Sequence, residues 1–443
     1  MRTLSRSESN LASPTGTVRW DSSFSVDRSG LFQPQNLASS PHAHKEPETE
    51  MAKQIKALIQ FRGGPITLAE YMSEVLTNPT AGYYSHQEAF GERGDFITSP
   101  EVSQLFGEMV GIWCVTVWQQ LGQPEQLRLI ELGPGRGTLM ADLLRGTQVF
   151  APFQKALRVH LVEVSEGMRE RQRKTLGCEA PATGSRHTSF SGHEVEWHRS
   201  HEEIPQDCPV VVVANEFFDA LPVHQFQRSK RGWSEILVDI ADDAEMLHLR
   251  NVLAPGPTPA SRLLLPQRLD GLTDGSQSQE AQDVQQLEIC PQGIATAEAL
   301  AKRIAAHSGA VLAIDYGQDG LYPASLQAIR EHKAADPLSQ PGLSDLSAWV
   351  DFSSLRQGAA AAGVPVSCHG PVTQAHFLKS LGIEARLEML EQQANKAQAQ
   401  SLREGVEKLI APGTTKEGGM GESYKAWAML AGVDDVPVGF QPQ

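Results

Sequence analysis

Six residues, Leu127 to Leu132, run straight into Gly133-Pro134-Gly135-Arg136-Gly137, and this junction constrains the 443-residue chain more than any other segment. The hexapeptide is apolar enough to read as a buried strand. Behind the glycines, Leu139/Leu143 and Met140/Leu144 recur at i, i+4, which predicts a helix over Thr138 to Arg145. Strand, glycine turn and helix in that order predict an α/β fold with a mostly parallel, Rossmann-like sheet. Glycines there let the backbone approach a ligand closely, and the helix N-terminus behind them favours negative groups. A dinucleotide fingerprint, Gly-x-Gly-x-x-Gly, would require glycine at 138, where Thr138 stands.

The following strands carry polar ends. Val159 to Val164 reads as the second strand, followed by a helix over Ser165 to Leu176. Glu163, at its C-terminal end, is placed to accept hydrogen bonds from both hydroxyls of a ribose. A weaker third β segment lies around Val195 and Trp197. Pro209 to Phe218 contains four consecutive valines, the signature of a central parallel strand, and ends in Asn215, Glu216 and Asp219. A further strand, Ala310 to Ile314, ends in Asp315-Tyr316-Gly317. Ligands of open α/β sheets bind beyond the carboxyl ends of the strands, so these residues face the expected site.

Three segments follow from texture. Residues 1–50 are rich in Ser, Pro and Gln, without apolar periodicity. Their arginines and serines suit an organellar transit peptide; a disordered tail, or a true start at Met51, stays open. Residues 51–126 read as a helical N-terminal part preceding the first strand, with Thr67 and Glu70 spaced as a capping box. Residues 127–443 form the sheet domain with insertions at about 223–300. Those comprise a hairpin from Val223 to Val252 turning at Lys230-Arg231-Gly232, and a mobile loop from Asp270 to Gln286.

Composition removes whole classes. Acidic residues outnumber basic ones 53 to 38, for a net charge of −15, so no broad nucleic-acid surface is expected. The longest apolar run, Met109 to Trp118, is too short to span a bilayer, and no transmembrane segment is expected. Five scattered cysteines form no Cys-x-x-Cys pair. His193, His198 and His201 cluster without a matching cysteine and read as surface histidines, so no metal is assigned.

With the dinucleotide reading weakened, Glu131-x-Gly-x-Gly-x-Gly resembles the loop of S-adenosylmethionine-dependent methyltransferases. Longer motifs narrow this resemblance. Gly64 to Met72, Gly82-Tyr83-Tyr84, Gly94 to Val102, Glu131 to Thr138, His160 to Ser165, Asn215 to Val223, Asp315-Tyr316-Gly317 and Val350-Asp351-Phe352 are similar to the MidA-like methyltransferases. The eukaryotic members of that family are mitochondrial complex I assembly factors. One departure is Trp349, where the family often has histidine.

The resemblance implies a protein arginine methyltransferase of the symmetric dimethylating type. Its substrate would be a matrix-arm core subunit of complex I, its address the mitochondrial matrix and its cofactor S-adenosyl-L-methionine. Glu131, Gly133, Gly135, Gly137, Thr138, Glu163 and Asn215 would hold that cofactor. Glu216 is the leading carboxylate for orienting a guanidinium, with Asp219 or Asp95 assisting. Gly94 to Glu101 is a candidate lid. A small-molecule methyltransferase and a non-catalytic, cofactor-binding assembly chaperone remain as alternatives, and the oligomeric state is open.

Overall fold

The computed structural model describes residues 45–85, 98–179, 186–230, 232–270, 284–320, 323–413 and 419–441. Across the main sheet the strands run Ser367–Thr373, Tyr424–Ala431, Gly309–Gln318, Val210–Asn215, Leu127–Leu132, Leu157–Val162, Glu194–His198 and His187–Thr188. The five from Gly309–Gln318 to Glu194–His198 are mutually parallel. Tyr424–Ala431 is antiparallel to both its neighbours. The two-residue strand Val350–Asp351 extends the sheet beside Gly317 and Gln318.

The chain begins this sheet at Leu127–Leu132, adds strands on one side, then crosses to Val210–Asn215 on the other. That reversal opens a crevice at the carboxyl ends of the two strands. Both faces of the sheet are covered, so all six residues of Val210–Asn215 are buried. Helices Gln104–Gln120 and Thr138–Gly146 pack Phe106, Trp113 and Leu143 against Leu129 and Val211 on one face. Helices Pro291–His307 and Phe352–Ala361 pack Leu300, Ile304 and Phe352 against Val212 and Val311 on the other.

A third core joins the N-terminal helices Glu50–Arg62 and Leu68–Thr77 to the inserted strands through Ile55, Tyr71, Met72, Val238 and Leu346. The capping box forms: Thr67 Oγ1 accepts from Glu70 N, and Glu70 Oε2 accepts from Thr67 N. The N-terminal part is not purely helical, however. Ile66–Thr67 is a short strand on the edge of the inserted sheet, paired with Val238 and Leu237. The expected hairpin is present as His224–Ser229 and Gly232–Ile240, and Leu249–Leu253 and Gln286–Ile289 complete that sheet. Most of the loop expected at Asp270 to Gln286 lies outside the described residues.

Two strand boundaries differ from the sequence reading. The second strand spans Leu157–Val162, which leaves Glu163 just beyond its end. The strand expected at Ala310 to Ile314 continues to Gln318, because Tyr424–Ala431 extends its ladder through Asp315↔Lys425 and Tyr316↔Tyr424. Asp315 and Tyr316 therefore lie inside a strand.

Candidate active site

The glycine turn is built from left-handed backbone. Gly133, Gly135 and Gly137 have φ of 60°, 51° and 82°, a region that L side chains avoid. A Cβ on Gly133 would stand 3.0 Å from Phe217 Cδ2, and one on Gly137 3.3 Å from Gln172 Cα. A Cβ on Gly135 would meet no protein atom within 4 Å. On its Cα side Gly135 thus faces open space, while its carbonyl accepts from Gln172 Nε2 at 2.8 Å. Helix Thr138–Gly146 starts directly behind, with no side chain capping its first turn, so its leading N–H groups are available to a ligand.

Glu163 stands at the next strand end. Its Oε1 accepts from Ser165 N at 2.8 Å and its Oε2 from Gln172 Nε2 at 3.2 Å. Burial pushes its pKa up, against the pull of these donors. Gln172, which the sequence reading did not single out, is fully buried on helix Glu166–Thr175. Only its position one helix past Glu163 signals it in sequence. Glu131 is buried on the first strand, its carboxyl lifted to about 8 by desolvation.

Glu216 ends the central strand in left-handed backbone, φ 48°, an uncommon conformation for glutamate. Its Oε1 accepts from Ser99 N at 2.8 Å and from Asn215 Nδ2 at 3.2 Å, and its Oε2 from the Tyr424 hydroxyl at 3.4 Å. Burial, reinforced by the Asp219 charge, lifts its pKa to about 8. Asp219 is buried and lifted to about 6, with the Tyr316 hydroxyl pulling in the opposite direction. Asp315, wholly buried, accepts from the backbone N–H groups of Phe218 and Asp219 at 3.0 and 3.2 Å. It moors the turn that carries Glu216 and Asp219, a role hidden in sequence by the misplaced strand end.

Rings surround these acids. Tyr316 lies edge-on to Tyr424 at 5.5 Å and to Trp349 at 6.0 Å. Trp349 fills the departed histidine position with a ring packed against the acid-bearing strand. Tyr84 closes another side: its hydroxyl reaches Asp345 Oδ1 at 3.3 Å, and its carbonyl accepts from Ser165 Oγ at 3.2 Å. Asp95 and Gly94 to Ile97 of the candidate lid lie outside the described residues. The adjoining Thr98 to Val102 does meet the site, through Ser99 on Glu216 and a 3.5 Å ion pair between Glu101 and Arg136 of the glycine turn.

The three clustered histidines do not converge. His193 contacts Ser191 and the Gln154 carbonyl, whereas His198 Nε2 pairs with His160 Nδ1 at 3.0 Å. Glu196 approaches that pair, but its carboxylate is engaged by Arg186 Nε at 2.5 Å. No described helix is long and apolar enough to cross a membrane.

The model of a family of S-adenosyl-L-methionine-dependent methyltransferases matches residues 109–372. The chain belongs to this family. Curated relatives include the mitochondrial protein arginine methyltransferase NDUFAF7 of Homo sapiens, 39% identical over 90% of this chain and 88% of that protein. The Drosophila melanogaster NDUFAF7 homologue is 40% identical over 94% and 95% of the two chains. Among solved structures, a COG1565 superfamily member from Burkholderia thailandensis with bound S-adenosyl-homocysteine is 29% identical, with a TM-score of 0.69. The match covers 88% of this chain and 94% of that one.

The protein is therefore a methyltransferase that uses S-adenosyl-L-methionine, and its residues fit that cofactor. The space before Gly135 is one that a Cβ would fill, and Glu131 Oε2 and Asn215 Oδ1 are buried without a donor among the described residues. The glycine turn would take the amino-acid end of the cofactor and Glu163 the ribose.

Proposed function

We propose that the chain is a mitochondrial protein arginine N-methyltransferase in which Glu216 receives the substrate guanidinium. The observation that carries this reading is a carboxylate in strained backbone at the central strand end, beside a second acid and ringed by tyrosines. The relatives, mitochondrial protein arginine methyltransferases by name, support arginine as the acceptor and mitochondria as the address. The motif resemblance extends the reading to symmetric dimethylation of a matrix-arm core subunit of complex I, in the matrix, during assembly.

S-adenosylmethionine, when bound, supplies a methyl group activated on a sulfonium. The chain must then bind the guanidinium, aim one nitrogen and keep water out. A guanidinium, with a pKa above about 12, arrives charged. Glu216 Oε1 already holds two donors, so a paired, fork-to-fork grip on this carboxylate is not open to it. The cation instead meets Glu216 end-on through Oε2, replacing or sharing with the Tyr424 hydroxyl, with Asp219 as the second anion. Ionised carboxylates on the non-reacting nitrogens concentrate positive charge there and leave the remaining nitrogen the better nucleophile. The hydroxyls of Tyr424 and Tyr316 reach Glu216 and Asp219, donors that favour the ionised acids the cation needs.

The test is methyl transfer from labelled S-adenosylmethionine to isolated complex I subunits, with dimethylarginine isomers separated by mass spectrometry. Glu216→Gln should bind cofactor as the parent does and lose roughly 100-fold or more in turnover, the loss typical of removing an electrostatic anchor. Unchanged turnover would remove Glu216 from the mechanism. Transfer only to small molecules, or to nothing, would select one of the alternative readings.

A further inference from the structure

We propose that Gln172 is the positioning residue that sets the geometry of both halves of the cofactor site at once. Its Nε2 donates to the Gly135 carbonyl at 2.8 Å and to Glu163 Oε2 at 3.2 Å. Its Oε1 accepts from Trp197 Nε1 at 2.8 Å. The indole nitrogen is a donor only, so the amide oxygen must face Trp197 and the amide nitrogen must face the cofactor site. One amide hydrogen then fixes the middle peptide of the glycine turn, and the other fixes the rotation of the Glu163 carboxylate.

Those two groups sit on different loops with no other described hydrogen bond between them. Ser165 N on Oε1 and Gln172 on Oε2 hold the Glu163 carboxylate from both sides, with the Val164 N–H as a further donor. The side chain is fully buried, and its backbone abuts Gly137, so it has one seat available. Trp197 in turn is held under the Arg173 guanidinium, 5.2 Å above its ring. The relay thus runs from a surface arginine through an indole and an amide to both ends of the ligand.

The test is calorimetric binding of S-adenosylhomocysteine by the full chain, with a thermal melt of each ligand-free variant. Hydrogen bonds to charged groups are worth enough that Gln172→Leu should weaken binding by at least about tenfold. Glu163→Gln and the double variant complete a cycle. If Gln172 acts through Glu163, the double variant is weaker than Glu163→Gln by clearly less than the Gln172→Leu factor. Gln172→Glu adds a readout that packing alone would not move. A carboxylate repels both the Gly135 carbonyl and Glu163, and its protonation restores one donor, so its affinity should recover as pH falls. Trp197→Phe removes the donor that orients the amide, together with part of the ring, and should weaken binding a few-fold; with a melt showing it folded, it decides the matter if Gln172→Leu fails to fold. Parent-like affinity in Gln172→Leu or Trp197→Phe, or fully multiplicative losses in the cycle, would overturn the proposal.

Discussion

Gly135→Ala separates folding from cofactor binding. The added methyl meets no protein atom within 4 Å, so the folding penalty is confined to placing an L-residue at φ 51°. That penalty is about 1–2 kcal/mol. For a chain of this size each kcal/mol lowers Tm by roughly 2–4 °C or less, so the variant stays folded at room temperature. Gly133→Ala and Gly137→Ala incur the same conformational penalty and must also displace Phe217 or the backbone at Gln172. Gly135→Ala should therefore melt highest of the three. Its affinity should nevertheless fall, because the methyl enters the space assigned to the cofactor. Overpacking of one such group costs roughly 1–3 kcal/mol, or about 5- to 150-fold in Kd. Titration calorimetry with S-adenosylhomocysteine beside thermal melts reads both quantities. A Gly135→Ala protein that binds within twofold of the parent would refute the placement of the ligand. One that melts below Gly133→Ala would refute the steric reasoning.

Other outcomes follow from the same geometry. Glu216 is lifted to about 8 and partly by Asp219, so kcat/KM should rise with pH towards 8 as the free enzyme ionises, and Asp219→Asn should move that limb to lower pH in initial-rate profiles. Buried Glu131 holds a proton to about 8 in the native state, against 4.5 for an ordinary glutamate. Its contribution to stability is complete below the unfolded value and lost as pH rises through the folded one, so ligand-free Tm should fall between pH 5 and 8, less steeply in Glu131→Gln. Asp315→Ala leaves the N–H groups of Phe218 and Asp219 without their acceptor and should lose stability and methyl transfer together; retained activity would show the turn stands unaided. Deleting residues 45–50 removes the Thr49 cap on Ala52 N and the Glu46 bonds to Ser339 and Gln340, and melts should register about 2 kcal/mol or more. Equal Tm for chains beginning at 45 and at 51 would show these contacts are idle.

The glycine turn, the acid Glu163 at the next strand end and the central strand were legible because each is a local pattern: valines in a row, glycines after a strand, an acid at its end. The partners that complete them were not. Ser99 lies 117 residues from Glu216, and Tyr424 lies 208 away. No periodicity encodes such pairings, and only the strand order brings them together. Gln172 was hidden differently. It sits in a helix so rich in charge that one buried amide is indistinguishable from its solvated neighbours until Trp197 and Gly135 are seen on either side. Asp315 was read as a strand-end ligand group because the antiparallel strand that lengthens its ladder comes more than 100 residues later.

That late strand governs how the enzyme comes to exist. Tyr424–Ala431 is wedged between Gly309–Gln318 and Ser367–Thr373, yet it is made after both. While the chain emerges N-terminus first, from a ribosome or a translocation pore, those two strands have no ladder between them and Glu216 has no tyrosine over its second oxygen. The glycine turn and Glu163 are assembled hundreds of residues earlier, from neighbouring segments. The segments of the glycine turn are thus in hand early in synthesis, whereas the acid site around Glu216 gains its Tyr424 partner only when the final strand is laid down.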